Sequence, residues 1–118
     1  MLKHKAAANL RAGEILSAAG LADPAASRCY YAMFQAAVHR LTVLGWTPDR
    51  LSSGAVEWNH TMVANNVLLV RRRRSDRDLF RDMRDLRRRA DYDLNSVDPA
   101  DLASRIPEVR AFVEELIR

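Results

Sequence analysis

The chain has 118 residues, 48% of them hydrophobic, and 19 Lys and Arg against 15 Asp and Glu give a formal net charge of +4. This length supports a single domain over residues 1–118, which would bury roughly 65% of its unfolded surface. Its one cysteine, Cys29, excludes an internal disulfide framework. Because the sequence shows neither a signal-peptide pattern nor a long uncharged apolar run, we expect a cytoplasmic protein with no membrane partner.

The first two helices are predicted from apolar spacing and from residues typical of helix ends. Residues 2–19 follow a helical pattern that stops at Gly20, and Asp23-Pro24 is typical of an N-cap with proline at the first helical position. The second helix should run to Gly45 and is apolar on two sides. Because a small bundle should not cover both sides, we expect a homodimer whose interface includes three residues of the second side, Tyr31, Phe34 and Val38.

The third helix is predicted to begin close to Ser53, after the clearest loop of the chain. His60 falls beside its apolar stripe, near Asn59 and Asn66. A single histidine in this position is more often a hydrogen-bonded core residue than a catalytic one. The two amides nearby favour a site, so His60 is a candidate accessory residue.

The fourth helix is strongly charged, should start at a capping box formed by Ser75 and Asp78, and reaches about Tyr92. Arg87 projects inside its apolar arc, and Asp91 lies one turn further on at the border, so the two can meet as an i,i+4 pair. A charge on an apolar face must be paired or must face a cleft. Two interpretations stay open: a half-buried structural ion pair, or a functional site.

The last helix repeats the Asp-Pro start at Asp98-Pro99, and Pro107 in its interior predicts a kink or a split. No segment alternates as a strand would. The sequence therefore predicts an all-α, up-and-down bundle of five helices, with a four-helix core and a C-terminal helix kinked near Pro107.

The positive charge is concentrated, because ten of the 19 Lys and Arg residues lie between positions 71 and 89. Such a local field attracts phosphates. Aspartates are interleaved with these arginines in the same segment, so a second interpretation stays open: the charges only form a solvated helix face. The predicted nucleic-acid-binding residues are Arg71, Arg72, Arg73, Arg74, Arg84 and Arg88. The outer face of this helix, with Arg77, Arg81, Arg84 and Arg88, should continue that surface.

The sequence lacks the motifs that are typical of several kinds of binding and catalytic site. The sequence has no glycine-rich phosphate loop, no CxxC, no HExxH and no GxSxG, and its three histidines are not paired at ligand spacing. We therefore expect neither a metal site nor a cofactor.

Two motifs together resemble the HEPN family of prokaryotic helical proteins. The first is Ala26-Ser27-Arg28-Cys29-Tyr30-Tyr31-Ala32-Met33-Phe34, and the second is Leu86-Arg87-Arg88-Arg89-Ala90-Asp91-Tyr92-Asp93. The chain is most similar to the branch with an A-S-x-x-Y-Y-A-M-F signature, a histidine early in the third helix (here His60) and a closing R-x-x-x-A-D-Y. The resemblance implies a five-helix domain, often dimeric, that often acts beside a small nucleotidyltransferase in toxin–antitoxin or defence modules.

The resemblance also implies an activity, because many HEPN proteins are metal-independent endoribonucleases that use an arginine followed closely by a histidine. Arg87 matches the arginine, whereas Tyr92 stands in the histidine's place. A phenol is mostly protonated at neutral pH, so Asp91 or Tyr92 would handle protons and Arg87 would stabilise charge on the phosphate. The alternative is a non-catalytic dimer that binds nucleic acid, a nucleotide or a nucleotidyltransferase partner.

Overall fold

The structure is a computed structural model that describes residues 2–47, 58–70, 74–92 and 96–118. All regular elements in these ranges are helices: α1 (Leu2–Ala18), α2 (Ala22–Val43), α3 (His60–Val70), α4 (Arg74–Tyr92) and α5 (Pro99–Leu116). This confirms the predicted all-α class with five helices. None of the described helices combines the length and apolar character that crossing a bilayer requires.

Helices α1 and α2 both end in glycine caps. Gly20 and Gly45 adopt φ angles of +79° and +91°. The residue after each glycine donates its backbone N–H to the carbonyl oxygen five positions earlier. Leu21 donates to Leu16 and Trp46 donates to Leu41, both at 2.9 Å. This is the Schellman arrangement, which needs a left-handed residue and so favours glycine.

The predicted start of α2 is wrong by two residues, because the helix begins at Ala22 and Leu21 occupies the N-cap position without a side-chain bond. The Asp23 carboxylate has a different partner: it accepts a hydrogen bond of 2.8 Å from the backbone N–H of Val97. The side chain expected to cap its own helix thus connects α2 to the segment before α5.

Helix α5 begins as predicted, whereas the starts of α3 and α4 differ from the prediction. Asp98 is the N-cap of α5, and its carboxylate accepts from the N–H of Ala100 at 3.1 Å. Helix α4 begins at Arg74, so Ser75 lies inside it rather than at the cap. Helix α3 begins at His60, and Trp58 and Asn59 before it are not helical, so no continuous helix runs from the predicted start near Ser53, which itself lies outside the described residues.

Pro107 does not split α5, which continues as one helix from Pro99 to Leu116. An interior proline removes one backbone hydrogen bond and costs about 3 kcal/mol. Beyond Pro107, Phe112 and Leu116 are almost completely buried. Their burial holds the second half of the helix against the core and outweighs the lost bond.

Helix α2 is the centre of the bundle and contacts all four other helices. Tyr30, Met33 and Leu41 have no exposed surface. We expected the second apolar side of α2 to be covered only by a second copy of the chain. For Val38 this expectation is wrong, because the chain itself buries this side chain and leaves only 2% of it exposed. Tyr31 and Phe34 are half-buried and pack against the core.

Arg40, in the last turn of α2, connects this helix to the end of α5. Its Nε donates to the carbonyl of Leu116 at 3.2 Å, and one terminal nitrogen donates to the carbonyl of Arg118 at 3.2 Å. The last carbonyls of a helix lack partners within it, and a cation stabilises them. This arginine therefore works as a C-terminal cap contributed by another helix.

Candidate functional site

The site centres on Arg87 of α4, which lies at the border between the core and the surface. Its Nε is 3.1 Å from Oδ2 of Asp91, and the two side chains are 15% and 34% exposed. The predicted i,i+4 contact is therefore present. The same Nε is buried and makes no hydrogen bond within the described residues. The contact is an ion pair without hydrogen-bond geometry, so Arg87 keeps an unused donor.

Asp91 is held from the opposite side by α2. The hydroxyl of Ser27 donates to Oδ1 of Asp91 at 2.8 Å. One carboxylate oxygen thus accepts from α2, while the other lies beside Arg87 of its own helix. A carboxylate held on both sides has a fixed orientation, and it fixes the arginine beside it.

Three tyrosine rings surround the Arg87 guanidinium. Its Cζ lies 5.3 Å from the ring centroid of Tyr31 and 5.9 Å from those of Tyr30 and Tyr92. A cation within about 6 Å of an aromatic ring is stabilised by the ring's quadrupole. Tyr30 is fully buried, whereas Tyr92 is 75% exposed. The cluster therefore extends from the core to solvent.

His60, the first residue of α3, joins the cluster through Tyr30. The Tyr30 hydroxyl and Nδ1 of His60 form a hydrogen bond, and the two rings stack with centroids 5.4 Å apart. Phe34 covers the imidazole at 4.8 Å. The structure thus brings the candidate accessory residue into the same cluster as Arg87.

Burial controls the protonation of this pair. Burial raises the pKa of Tyr30 above its ordinary value, although Arg84 and Arg87 oppose the rise. Burial also lowers the pKa of His60, and the charges of Arg84 and Arg87 lower it further. At neutral pH the pair is therefore a protonated phenol and a neutral imidazole.

The buried phenol has no second acceptor within the described residues. We therefore assign the Tyr30 hydroxyl as the donor to Nδ1, which leaves the imidazole proton on Nε2. In this tautomer His60 offers a neutral N–H donor rather than a free base. Such a donor is suited to an anionic oxygen.

The predicted site residues divide into two groups. Arg87, Asp91, Tyr92 and His60 come together, whereas Arg88 is exposed on α4. Arg84 does not lie on an outer face as predicted, because it is half-buried and its Nε is buried without a partner among the described residues. Arg71 to Arg73 lie outside the described residues, and of Arg74 only the backbone position at the start of α4 is described.

Two residues of the cluster were missed as site residues, Ser27 and Tyr30. Both stand in the first motif, and Ser27, Tyr30 and Tyr31 share one face of α2 at i, i+3 and i+4. A serine in line with tyrosines on an otherwise apolar helix was the available signal. The half-buried rings of Tyr31 and Phe34, predicted for a dimer interface, contact Arg87 and His60 within the chain.

The fold and the cluster together define a class: an all-α five-helix protein with an arginine, a carboxylate and a neutral histidine grouped among aromatic rings. Within the described residues, no group of three His, Cys, Asp or Glu side chains could hold a metal ion. No protein-family model matches the sequence, and no curated protein matches it either.

Proposed function

We propose that the chain is a HEPN-type effector of a toxin–antitoxin or defence module that acts in the cytoplasm on RNA, as a metal-independent endoribonuclease. The observation that carries the proposal is the shared cluster of Arg87, with a buried unused donor, and neutral His60. Both groups are suited to an anionic phosphate, and the cluster reaches solvent at Tyr92. The motif resemblance to HEPN proteins supports the same function.

The chemistry would be attack by a ribose 2′-hydroxyl on the adjacent phosphate. The O2′–P bond forms while the P–O5′ bond breaks, which gives a 2′,3′-cyclic phosphate and a 5′-hydroxyl. Arg87 and Nε2–H of His60 would donate to the phosphoryl oxygens and stabilise their charge. Asp91 would accept the 2′-hydroxyl proton, and the phenol hydroxyl of Tyr92 would donate to the leaving oxygen.

Arg87 has a different partner in each state under this proposal. Without RNA it pairs with Asp91. A bound phosphate competes for the guanidinium, because a second anion beside Asp91 must share that charge. Asp91 then keeps the Ser27 hydrogen bond but loses part of its contact with Arg87, which leaves one carboxylate oxygen accessible to the 2′-hydroxyl.

The alternative is a non-catalytic module that binds nucleic acid, a nucleotide or a nucleotidyltransferase partner. The observation that favours it is the engagement of both Asp91 oxygens, one by Ser27 and the other beside Arg87. In this function Asp91 is a positioning residue that aims Arg87 at a phosphate. The cluster would then hold the phosphate without cleaving the RNA.

The expected partners are a second copy of the chain, RNA and a nucleotidyltransferase antitoxin. The arginine run at positions 71–74, together with Arg88, would add sequence-independent phosphate contacts. The homodimer stays a prediction. Tyr31 and Phe34 keep part of their surface for such a contact.

The deciding experiment incubates the purified chain with end-labelled single-stranded RNA in excess chelator. We expect cleavage with cyclic phosphate ends, a loss of about 10²–10³-fold in rate for Arg87→Ala, and little recovery in Arg87→Lys, which cannot bind bidentately. Arg89→Ala is the matched control, because Arg89 is exposed on the same helix.

The outcomes separate the two functions. RNA binding that Arg87→Ala weakens, without cleavage by the unaltered chain, supports the non-catalytic module. A chain that neither binds nor cleaves RNA contradicts the effector function and leaves, of the alternative, only the binding of a nucleotide or of a nucleotidyltransferase partner.

A further inference from the structure

A cavity of about 140 Å³ lies between α3 and α4, beside the Arg87 cluster. Helix α3 contributes Thr61, Ala64 and Asn65 to its wall. Helix α4 contributes Phe80 and three arginines, Arg77, Arg81 and Arg84. These arginines follow an i, i+4, i+7 spacing, which places them along one face of the helix.

The described residues that line this cavity include three arginines and no aspartate or glutamate. Among the described residues, Arg77, Arg81 and Arg84 make no ion pair or hydrogen bond, and the Nε of Arg84 is buried without an acceptor. Three cations that share one small space repel one another, and a buried donor without an acceptor is costly. One bound anion would relieve both penalties.

The size and lining of the cavity select the kind of anion. Pockets that hold drug-sized molecules measure about 300–1,000 Å³, so this cavity fits a single small group rather than a nucleoside. Guanidinium groups match the geometry of phosphate oxygens, and Thr61 and Asn65 add a hydroxyl and an amide donor. The Phe80 ring is fully buried and offers no face on which a base could stack.

We infer that this cavity is a binding site for one phosphate group, held by Arg77, Arg81 and Arg84 and separate from the ion pair of Arg87 and Asp91. The group is either an internal phosphodiester of a nucleic acid strand or a free or terminal phosphate. Arg84 precedes Arg87 by about one helical turn, roughly 5 Å along the axis. The site therefore lies close to the Arg87 cluster, but it does not depend on cleavage there.

Its first test is a titration of the ¹⁵N-labelled chain with inorganic phosphate at constant ionic strength. The Nε–H resonances of the arginines and the heat of binding are followed together. We expect saturable binding of one phosphate per chain, with the largest shifts at Arg77, Arg81 and Arg84. Arg77→Gln and Arg81→Gln should each weaken binding by about tenfold, because each removes a charge-assisted contact.

Matched controls keep the result interpretable. Arg81 and Arg89 are both exposed on α4, so Arg81→Gln carries little risk of unfolding, and Arg89→Gln should bind phosphate as the unaltered chain does. Circular dichroism checks that each variant is folded. Phosphate binding that does not saturate, or that folded Arg77→Gln and Arg81→Gln retain unchanged, overturns the inference.

A second titration identifies the source of the phosphate. A short single-stranded RNA without terminal phosphates competes with inorganic phosphate if the ligand is an internal phosphodiester. A nucleoside monophosphate competes, and that RNA does not, if the ligand is a terminal or free phosphate. Arg87→Ala should slow RNA cleavage by about 10²–10³-fold but leave phosphate binding in the cavity, so the failure of one proposal is distinguishable from the failure of the other.

Discussion

At the scale of single residues, the hydrogen bond between Tyr30 and His60 controls the chemistry of the cluster. It joins α2 to α3 and occupies the imidazole lone pair. A hydrogen bond to the neutral form of a titrating group disfavours the charged form. Tyr30 therefore helps to keep His60 neutral, in addition to the effects of burial and of the two arginines.

Tyr30→Phe tests this role, because it removes the hydroxyl and keeps the buried ring. We expect the pKa of His60 to rise toward its ordinary value and the free energy of unfolding to fall by about 1 kcal/mol. A ¹H–¹³C titration of the imidazole measures the pKa, and urea unfolding measures the stability. An unchanged pKa of His60 in a folded Tyr30→Phe chain would contradict the assigned donor.

At the scale of helices, α1 and α2 approach closely where Gly13 faces Cys29. A Cβ added at Gly13 would lie 2.6 Å from the Cys29 Sγ and 3.3 Å from its backbone nitrogen. Cys29 is fully buried, so the sulfur has little room to move. The close packing of these two helices therefore depends on the absence of a side chain at Gly13.

Gly13→Ala is accordingly expected to destabilise the protein. Alanine gains up to about 1 kcal/mol over glycine in helix propensity, but forced overpacking costs about 1–3 kcal/mol, so the net loss should be on the order of 1 kcal/mol. Urea unfolding measures it, and Cys29→Ala in the same chain should recover part of the loss by removing the sulfur. A Gly13→Ala chain as stable as the original would show that the helices can separate without cost.

The sequence predicted contacts correctly where the two residues lie within a few positions of each other in the chain. Arg87 and Asp91 are four residues apart, and Asp98 caps a helix that starts at the next residue, so periodicity and cap patterns predicted both. Asp23 fits the same cap pattern, yet it binds the N–H of Val97, 74 residues away. A local rule cannot detect a competing partner that only the packed fold brings near.

The candidate site shows the same limit. The contact of Ser27 with Asp91 spans 64 residues, and that of Tyr30 with His60 spans 30. The sequence placed each of these residues on the correct helix, but their pairing follows from the way α2, α3 and α4 pack. The half-buried position of Arg84 was missed because α3 covers a face of α4 that looks uniformly charged in the sequence.

At the scale of the whole molecule, four buried or partly buried groups link stability to pH. Burial, Arg40 and Lys3 lower the pKa of His39, and burial and two arginines lower that of His60. Burial raises the pKa of Cys29 from 9.0 to about 12, with Glu14 adding to the rise, and burial raises that of Tyr30 above 10.0. The two kinds of group act at opposite ends of the pH range.

Whether the free energy of unfolding rises or falls with pH depends on which chain, folded or unfolded, binds more protons. Below pH 6.5 the unfolded chain protonates His39 and His60 before the folded chain does, so the free energy of unfolding falls as the pH falls. Above pH 9.0 the unfolded chain loses the Cys29 proton first, and then that of Tyr30, so the free energy of unfolding falls as the pH rises. Between these limits the four groups leave it unchanged.

We therefore expect urea midpoints that form a plateau from about pH 6.5 to about pH 9 and decline on both sides. His60→Gln should flatten the acid side and Cys29→Ala the alkaline side, whatever their effect on the height of the plateau. His4→Gln is the control, because His4 is exposed near the start of α1 and should leave both slopes unchanged. If His60→Gln and the control give the same acid slope, burial of His60 does not contribute to the pH dependence, and the assignment of a neutral imidazole beside Arg87 loses its support.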